Sequence, residues 1–197
     1  MRIAFFGPAG SGKDTAASIM SELATQETPI IRTEIYSFAA PIKTMVHELL
    51  IRHTPHTPDD FTKEELTDLP GFPSLRVLYQ AVGDAGRQIC DTFWVDLLVE
   101  QLEEDRDFFT GEPVLQIVTD CRYPTEARKL MDAGFSLVEV HRPDHPEHHS
   151  DHSSERNFSK IKQFYPYKRI INPAQRKDLL RAELQYLFQE ELKRRHK

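Results

Sequence analysis

Cysteine is nearly missing from this chain: two occur among 197 residues, Cys90 and Cys121. They stand alone, without the paired spacing of a zinc site or a disulfide framework, and a reducing, cytoplasmic compartment is the expectation. Long apolar runs are missing too, and none approaches the length of a membrane span. The short apolar opening, Met1 to Gly7, is interrupted too soon for a signal peptide and reads as a first strand. Repeats and low-complexity linkers are absent. Surplus positive charge is also lacking, since 25 Lys and Arg face 31 Asp and Glu for a net charge of -6. That argues against polymeric nucleic acid as the main partner, yet a small basic pocket can sit in an acidic protein. With 39% hydrophobic and 10% aromatic residues the composition is globular, and the length fits one domain with a sizeable core.

What is present is an alternation of apolar runs with helical patterns, the signature of an α/β fold with a parallel sheet. Strands are expected at Arg2–Phe6, Glu34–Phe38, Val114–Thr119, Phe135–His141 and Lys168–Ile171. Helices are expected over Lys13–Ala24, Pro41–Arg52 and Thr125–Ala133, the last ended by Gly134. A final amphipathic helix over Ala174–Arg194 sets Leu180, Leu184, Leu187, Phe188 and Leu192 on one face. Helical spacing also runs through Leu75, Leu78, Tyr79 and Val82, and through Phe93, Leu97, Leu98 and Leu102. Between them His53–Pro73 carries Pro55, Pro58, Pro70 and Pro73 and reads as an exposed excursion, with one short helix near Thr62–Leu69. Pro143–Ser159 is polar and histidine-rich and reads as a loop or lid.

The strongest motif is Gly7-Pro8-Ala9-Gly10-Ser11-Gly12-Lys13-Asp14-Thr15, between the first strand and the first helix. Glycines let a backbone wrap an anion with successive N–H groups pointing inward. The helix N-terminus adds a favourable dipole, and Lys13 can follow charge on the β and γ phosphates of ATP. The motif therefore predicts donor contacts from Gly10, Ser11, Gly12, Lys13, Asp14 and Thr15. Where a hydroxyl usually binds Mg²⁺ directly after the lysine, this chain has Asp14, with Thr15 next. Asp14 either ligates Mg²⁺, for which carboxylates are suited, or meets the acceptor, or is an ordinary helix-start acid.

Further candidates lie at the carboxyl ends of later strands, where parallel sheets place ligands. Asp120 is positioned to organise Mg²⁺ or its waters, and Arg122 to grip a phosphate. Ser37 and Phe38 end the second strand; Phe38 either stacks on a base or belongs to the core. Gly83 and Gly86 inside a helical pattern cost stability and predict a break or a close approach by ligand or backbone. Beside them Arg87 is a second phosphate clamp and Gln80 a reader of base edges, with plain surface solvation as the competing account. Arg142 follows a strand and is a candidate for stabilising the transferring phosphoryl group. His141, His145, His148, His149 and His152 cluster without helical ligand spacing, and Pro143 and Pro146 oppose a helix, so a solvated lid is favoured over zinc.

Together GPAGSGKDT, SFAAPIK, LYQAVGDAGRQICDTFWVD, TDCRYPTEA and HSDHSSE resemble the phage-type deoxynucleoside monophosphate kinases of the P-loop nucleoside monophosphate kinase superfamily. The GKDT loop and the D-x-R-x-P-x-E pattern (Asp120, Arg122, Pro124, Glu126) carry the likeness jointly. The resemblance implies a P-loop fold with a five-stranded parallel sheet flanked by helices, a nucleotide-monophosphate region and a lid. It implies ATP and Mg²⁺ as donor and metal, and a deoxynucleoside monophosphate as acceptor. By position, Gly10–Thr15 would hold the donor, and Asp14, Thr15 and Asp120 the metal. Ser37, Phe38, Arg87, Asp120 and Arg122 would serve the acceptor, while Arg142 and the His152–Glu155 segment would belong to the lid. The Asn172-Pro173 turn resembles the loop that cups adenine, or else caps the last helix. A monomer or homodimer in the cytoplasm, a host's if phage-encoded, is the corresponding expectation. Other small-molecule P-loop kinases, of the phosphomevalonate or dephospho-coenzyme A type, and a non-catalytic nucleotide switch are the rivals.

Overall fold

A computed structural model describes residues 1–53, 74–108, 112–144, 157–174 and 176–195, without the side chains of 106–108 and 195. In chain order the elements are β1 (Arg2–Phe6), α1 (Lys13–Thr25), β2 (Arg32–Tyr36), α2 (Ala39–His53), α3 (Leu75–Ile89) and α4 (Phe93–Phe108). They continue with β3 (Val114–Cys121), α5 (Pro124–Asp132), β4 (Ser136–His141), α6 (Phe158–Phe164), β5 (Lys168–Ile171) and α7 (Lys177–Arg195). They gather into two compact units, one made of Met1–Ser37 with Leu98–Lys197, the other of Phe38–Leu97.

The first unit holds a five-stranded sheet in the order β2-β3-β1-β4-β5, parallel at every pairing. On one face Ile3, Phe5, Leu115, Ile117, Val138, Val140 and Ile170 pack against the apolar sides of α1 and α7. All five apolar residues expected on the last helix lie on that side: Leu180, Leu184, Leu187 and Phe188 are buried and Leu192 partly so. Residues of opposite parity face the other way. There Arg2 donates to Gln116 Oε1 (2.7 Å) and to the Ala133 carbonyl at the end of α5 (2.6 Å). Tyr36 donates to Asp105 of α4 at 2.7 Å; burial and then the Asp105 carboxylate push its hydroxyl well above the usual tyrosine range. Among the described residues no helix is long and apolar enough to cross a membrane.

The second unit is helical. Its central helix α3 runs unbroken through both glycines, so the expected break is corrected, and the close neighbours of both glycines are protein side chains in place of the ligand or backbone expected. A Cβ on Gly86 would lie 2.6 Å from Trp94 Cε2, and one on Gly83 would press on Arg87 and on Ile42 Cδ1. The indole of Trp94 crosses this smooth stripe and donates to the Gly83 carbonyl at 2.8 Å. The helix-weakening cost of Gly86 is thus exchanged for burial of the one tryptophan. Leu97, expected on an apolar face, is 43% exposed instead, whereas Trp94, Val95, Leu98 and Leu102 are buried.

Boundaries moved for local reasons. β2 sits two residues earlier than expected because its five residues register against Val114–Val118 of β3, and as an edge strand it shows a polar pattern. α2 begins at Ala39, with Pro41 in the first turn, where a missing N–H costs nothing. The short helix α6 was not foreseen. Gly134, with φ +84°, ends α5 as expected. Most of the His53–Pro73 excursion, the Thr62–Leu69 helix, the His152–Glu155 segment and His145, His148, His149 and His152 lie outside the described residues.

Candidate functional site

The loop after β1 is shaped by three glycines with positive φ: Gly7 at +142°, Gly10 at +75° and Gly12 at +99°. These conformations are open to glycine and strained for other residues. Gly7 is also hemmed in, since a Cβ there would lie 2.7 Å from the Val140 carbonyl oxygen of β4. The loop closes with Ser11 N donating to Pro8 O (3.2 Å) and Ala16 N donating to Gly12 O (2.9 Å), the first bond of α1. Lys13 leaves the helix start and folds back over the loop, its ammonium donating to the carbonyls of Gly7 (2.8 Å) and Pro8 (2.7 Å). A cation is thereby held directly at the mouth of a helix N-terminus, where an anion is favoured.

Two neighbouring turns brace the loop. Arg142, just past β4, reaches the Gly10 carbonyl with Nη1 at 3.2 Å. Asn172, just past β5, reaches the Ser11 carbonyl with Nδ2 at 2.8 Å. Gly10, Gly12, Lys13, Asp14, Thr15, Arg142 and Asn172 line one recess of about 370 Å³, together with Pro173 and Lys177. Ser11, 1% exposed, is not among the lining residues. Sequence reasoning missed Lys177. A signal was there: it starts a helix, where the dipole disfavours a cation, directly after a turn at a strand's carboxyl end.

At the end of β3 the pairing with β1 slips by one residue: Ala4 pairs with Val118, but Phe6 pairs with Cys121. An unbroken register would set Asp120 beside Phe6. The extra residue puts Cys121 there instead, and Asp120 accepts from Ser37 Oγ at 2.8 Å. Bulges of this kind re-aim side chains next to functional sites. Cys121 is fully buried; burial foremost, then Glu126 and Asp120, push its thiol well above its ordinary range, so it remains an uncharged thiol. Glu126, 4% exposed, accepts from the backbone N–H groups of Arg122 (2.8 Å) and Tyr123 (3.0 Å), while Pro124 opens α5. The D-x-R-x-P-x-E pattern thus divides by role: Pro124 and Glu126 build the strand-to-helix turn that carries Arg122. The half-buried Arg122 is not among the residues lining the recess.

Phe38, Gln80 and Arg87 belong to the second unit. Phe38 is 6% exposed, which favours the core reading over base stacking. Arg87 pairs with Asp84 at 2.7 Å. Gln80 and Arg87 lie seven residues apart on α3, two turns and on one side of the helix.

For Mg²⁺ the residue types fit: Asp14 and Thr15 line the recess, and the ion favours one or two carboxylates with phosphate and water; Asp120, one residue before the end of β3, is not among the lining residues. No group of three or more His, Cys, Asp or Glu able to hold a metal occurs among the described residues, and of the histidine cluster only His141 is described.

No family model matches the chain, and no curated protein matches it. Among solved structures it is similar to the unliganded crystal structure of a sugar kinase from Janibacter sp. HTCC2649, at 15% identity and a TM-score of 0.46, over 94% of this chain and 93% of the other.

Proposed function

We propose that this chain is a phosphotransferase that moves the γ-phosphoryl group of ATP to a small phosphorylated acceptor, a deoxynucleoside monophosphate. The observation that carries the donor half is the positive-φ glycine loop with Lys13, Arg142 and Lys177 around one recess. A triphosphate needs that combination of backbone donors and cations. The acceptor half rests on the motif resemblance, with support from α3, where Gln80 and Arg87 are separated by about 10 Å of helix rise. That is the scale of a nucleoside monophosphate measured from phosphate to base edge.

The roles follow from charge. Gly10–Thr15 and Lys13 bind the donor's phosphates, and Arg142 shifts from the Gly10 carbonyl to the migrating group. Arg122 holds the acceptor's phosphate, and Ser37 orients Asp120. An acceptor phosphate oxygen attacks the γ phosphorus, the bond to the β–γ bridging oxygen breaks, and ADP leaves. That oxygen is already anionic, so no strong general base is needed. Mg²⁺, held by Asp14, Thr15 and Asp120, would neutralise phosphate charge when bound.

The test is ADP release with ATP and Mg²⁺ across dAMP, dGMP, dCMP, dTMP, the ribonucleotides, phosphomevalonate and dephospho-coenzyme A. Release that depends on a deoxynucleoside monophosphate is the expected result. Release confined to another acceptor replaces the substrate class, and ATP binding without acceptor-dependent release replaces the enzyme with a switch.

A further inference from the structure

We infer that Asn172 is a positioning residue for the phosphate loop, acting on the Ser11–Gly12 peptide and not on the donor's base. The inference rests on the donor-recess reading above. Asn172 is well anchored for the task. Its backbone N–H donates to the His141 carbonyl at 2.7 Å, extending the β4–β5 ladder by one residue. Its side chain then spans from the sheet end to a loop 161 positions away in sequence, donating from Nδ2 to the Ser11 carbonyl at 2.8 Å.

That carbonyl belongs to the peptide joined to Gly12 N. A trans peptide is planar and points its C=O and N–H in opposite directions. Holding the Ser11 oxygen therefore also fixes the direction of the Gly12 N–H, one of the donors a phosphate would meet. Gly12 is the matching half of the device. Its φ of +99° is a left-handed conformation, and any Cβ there would run into the Asn172 amide. The far side is closed as well: Ser11 is 1% exposed, and its Oγ already lies near the space above Gly7. The peptide is held between a buried serine and an asparagine whose amide N–H is committed to it. An amide committed in this way has one donor fewer for reading a base.

The experiment is a calorimetric titration of the full chain with inorganic tripolyphosphate and, separately, with ATP, each with Mg²⁺. Asn172→Ala is expected to weaken both ligands by the same factor, roughly three- to ten-fold for one lost hydrogen bond. Asn172→Gln, which keeps a donor amide, is expected to recover part of that loss, with melting temperatures close to the parent's. Should Asn172→Ala fail to fold, Asn172→Ser, whose hydroxyl is too short to reach Ser11 O, gives the same reading. Loss of ATP affinity with tripolyphosphate unchanged would assign Asn172 to the base and overturn the inference, as would no loss for either. Lys13→Ala is the separate control: if it leaves tripolyphosphate binding intact, the donor-recess reading itself fails, and the role of Asn172 with it.

Discussion

Two recesses of almost equal size border α1, one of about 370 Å³ at its start on the β4–β5 side and one of about 380 Å³ along its length on the β2 side, and Asp14 borders both. Their chemistry differs. The first is ringed by Lys13, Arg142 and Lys177 over glycine backbone. The second is lined by Ala17, Ser18, Ser21, Glu22, Thr25, Ile35 and Thr119 beside Asp14, with no cation among them. Volume does not separate the two; charge and exposed backbone donors do. A polyanion entering the second would meet the carboxylates of Asp14 and Glu22, the latter paired with Arg181 of α7 at 2.7 Å, and no cation in the lining itself. A shape that a small ligand could fill is thus a weak guide here, and the glycine-rich loop is a strong one.

The sharpest way to break this contrast is Lys13→Ala, expected to lower acceptor-dependent ADP release by about a hundred-fold or more, as loss of a charge-stabilising donor does. Arg142→Ala should follow, with turnover lowered by roughly ten- to a hundred-fold and the KM for ATP raised less, because its contact to the Gly10 carbonyl is solvent-exposed. Lys177→Ala should raise the KM for ATP by roughly two- to five-fold, the scale of an exposed ion pair, and leave kcat alone. Raising ionic strength should shrink that difference. At the small end, Ser21→Leu on the β2 side should leave all kinetic constants within about two-fold. A large effect of Ser21→Leu beside a negligible one of Lys177→Ala in the same ADP-release assay would reverse the assignment of the two recesses.

Much of this was legible in the residues. The phosphate loop announced itself because glycine spacing, a lysine and a strand-to-helix context coincide at Gly7–Thr15, and positive φ falls on Gly7, Gly10 and Gly12. The parallel sheet followed from apolar runs, and β5 was placed to the residue. What stayed hidden depends on contacts between distant parts of the chain. Nothing local to Asn172 says that its amide meets Ser11. The slip at Val118–Cys121 that turns Asp120 toward Ser37 arises from the pairing with β1, so no periodicity within β3 reveals it. Gly83 and Gly86 were noticed for their cost to a helix, but the reason for Gly86, the indole of Trp94, sits one helix further on, and the close neighbours of Gly83 are Arg87 and Ile42 of α2. Phe38 shows the limit of composition: an aromatic at a strand end is suited to stacking or to core, and only its burial decides.

The most direct measurement is a crystal structure with a non-hydrolysable ATP analogue and Mg²⁺. The account predicts the triphosphate against the backbone amides of Gly10–Thr15, with Lys13 released from the Gly7 and Pro8 carbonyls to meet it. Nucleotide seated instead in the groove beside Ser18 and Ser21, or Lys13 still folded onto those carbonyls with analogue bound elsewhere, would contradict it.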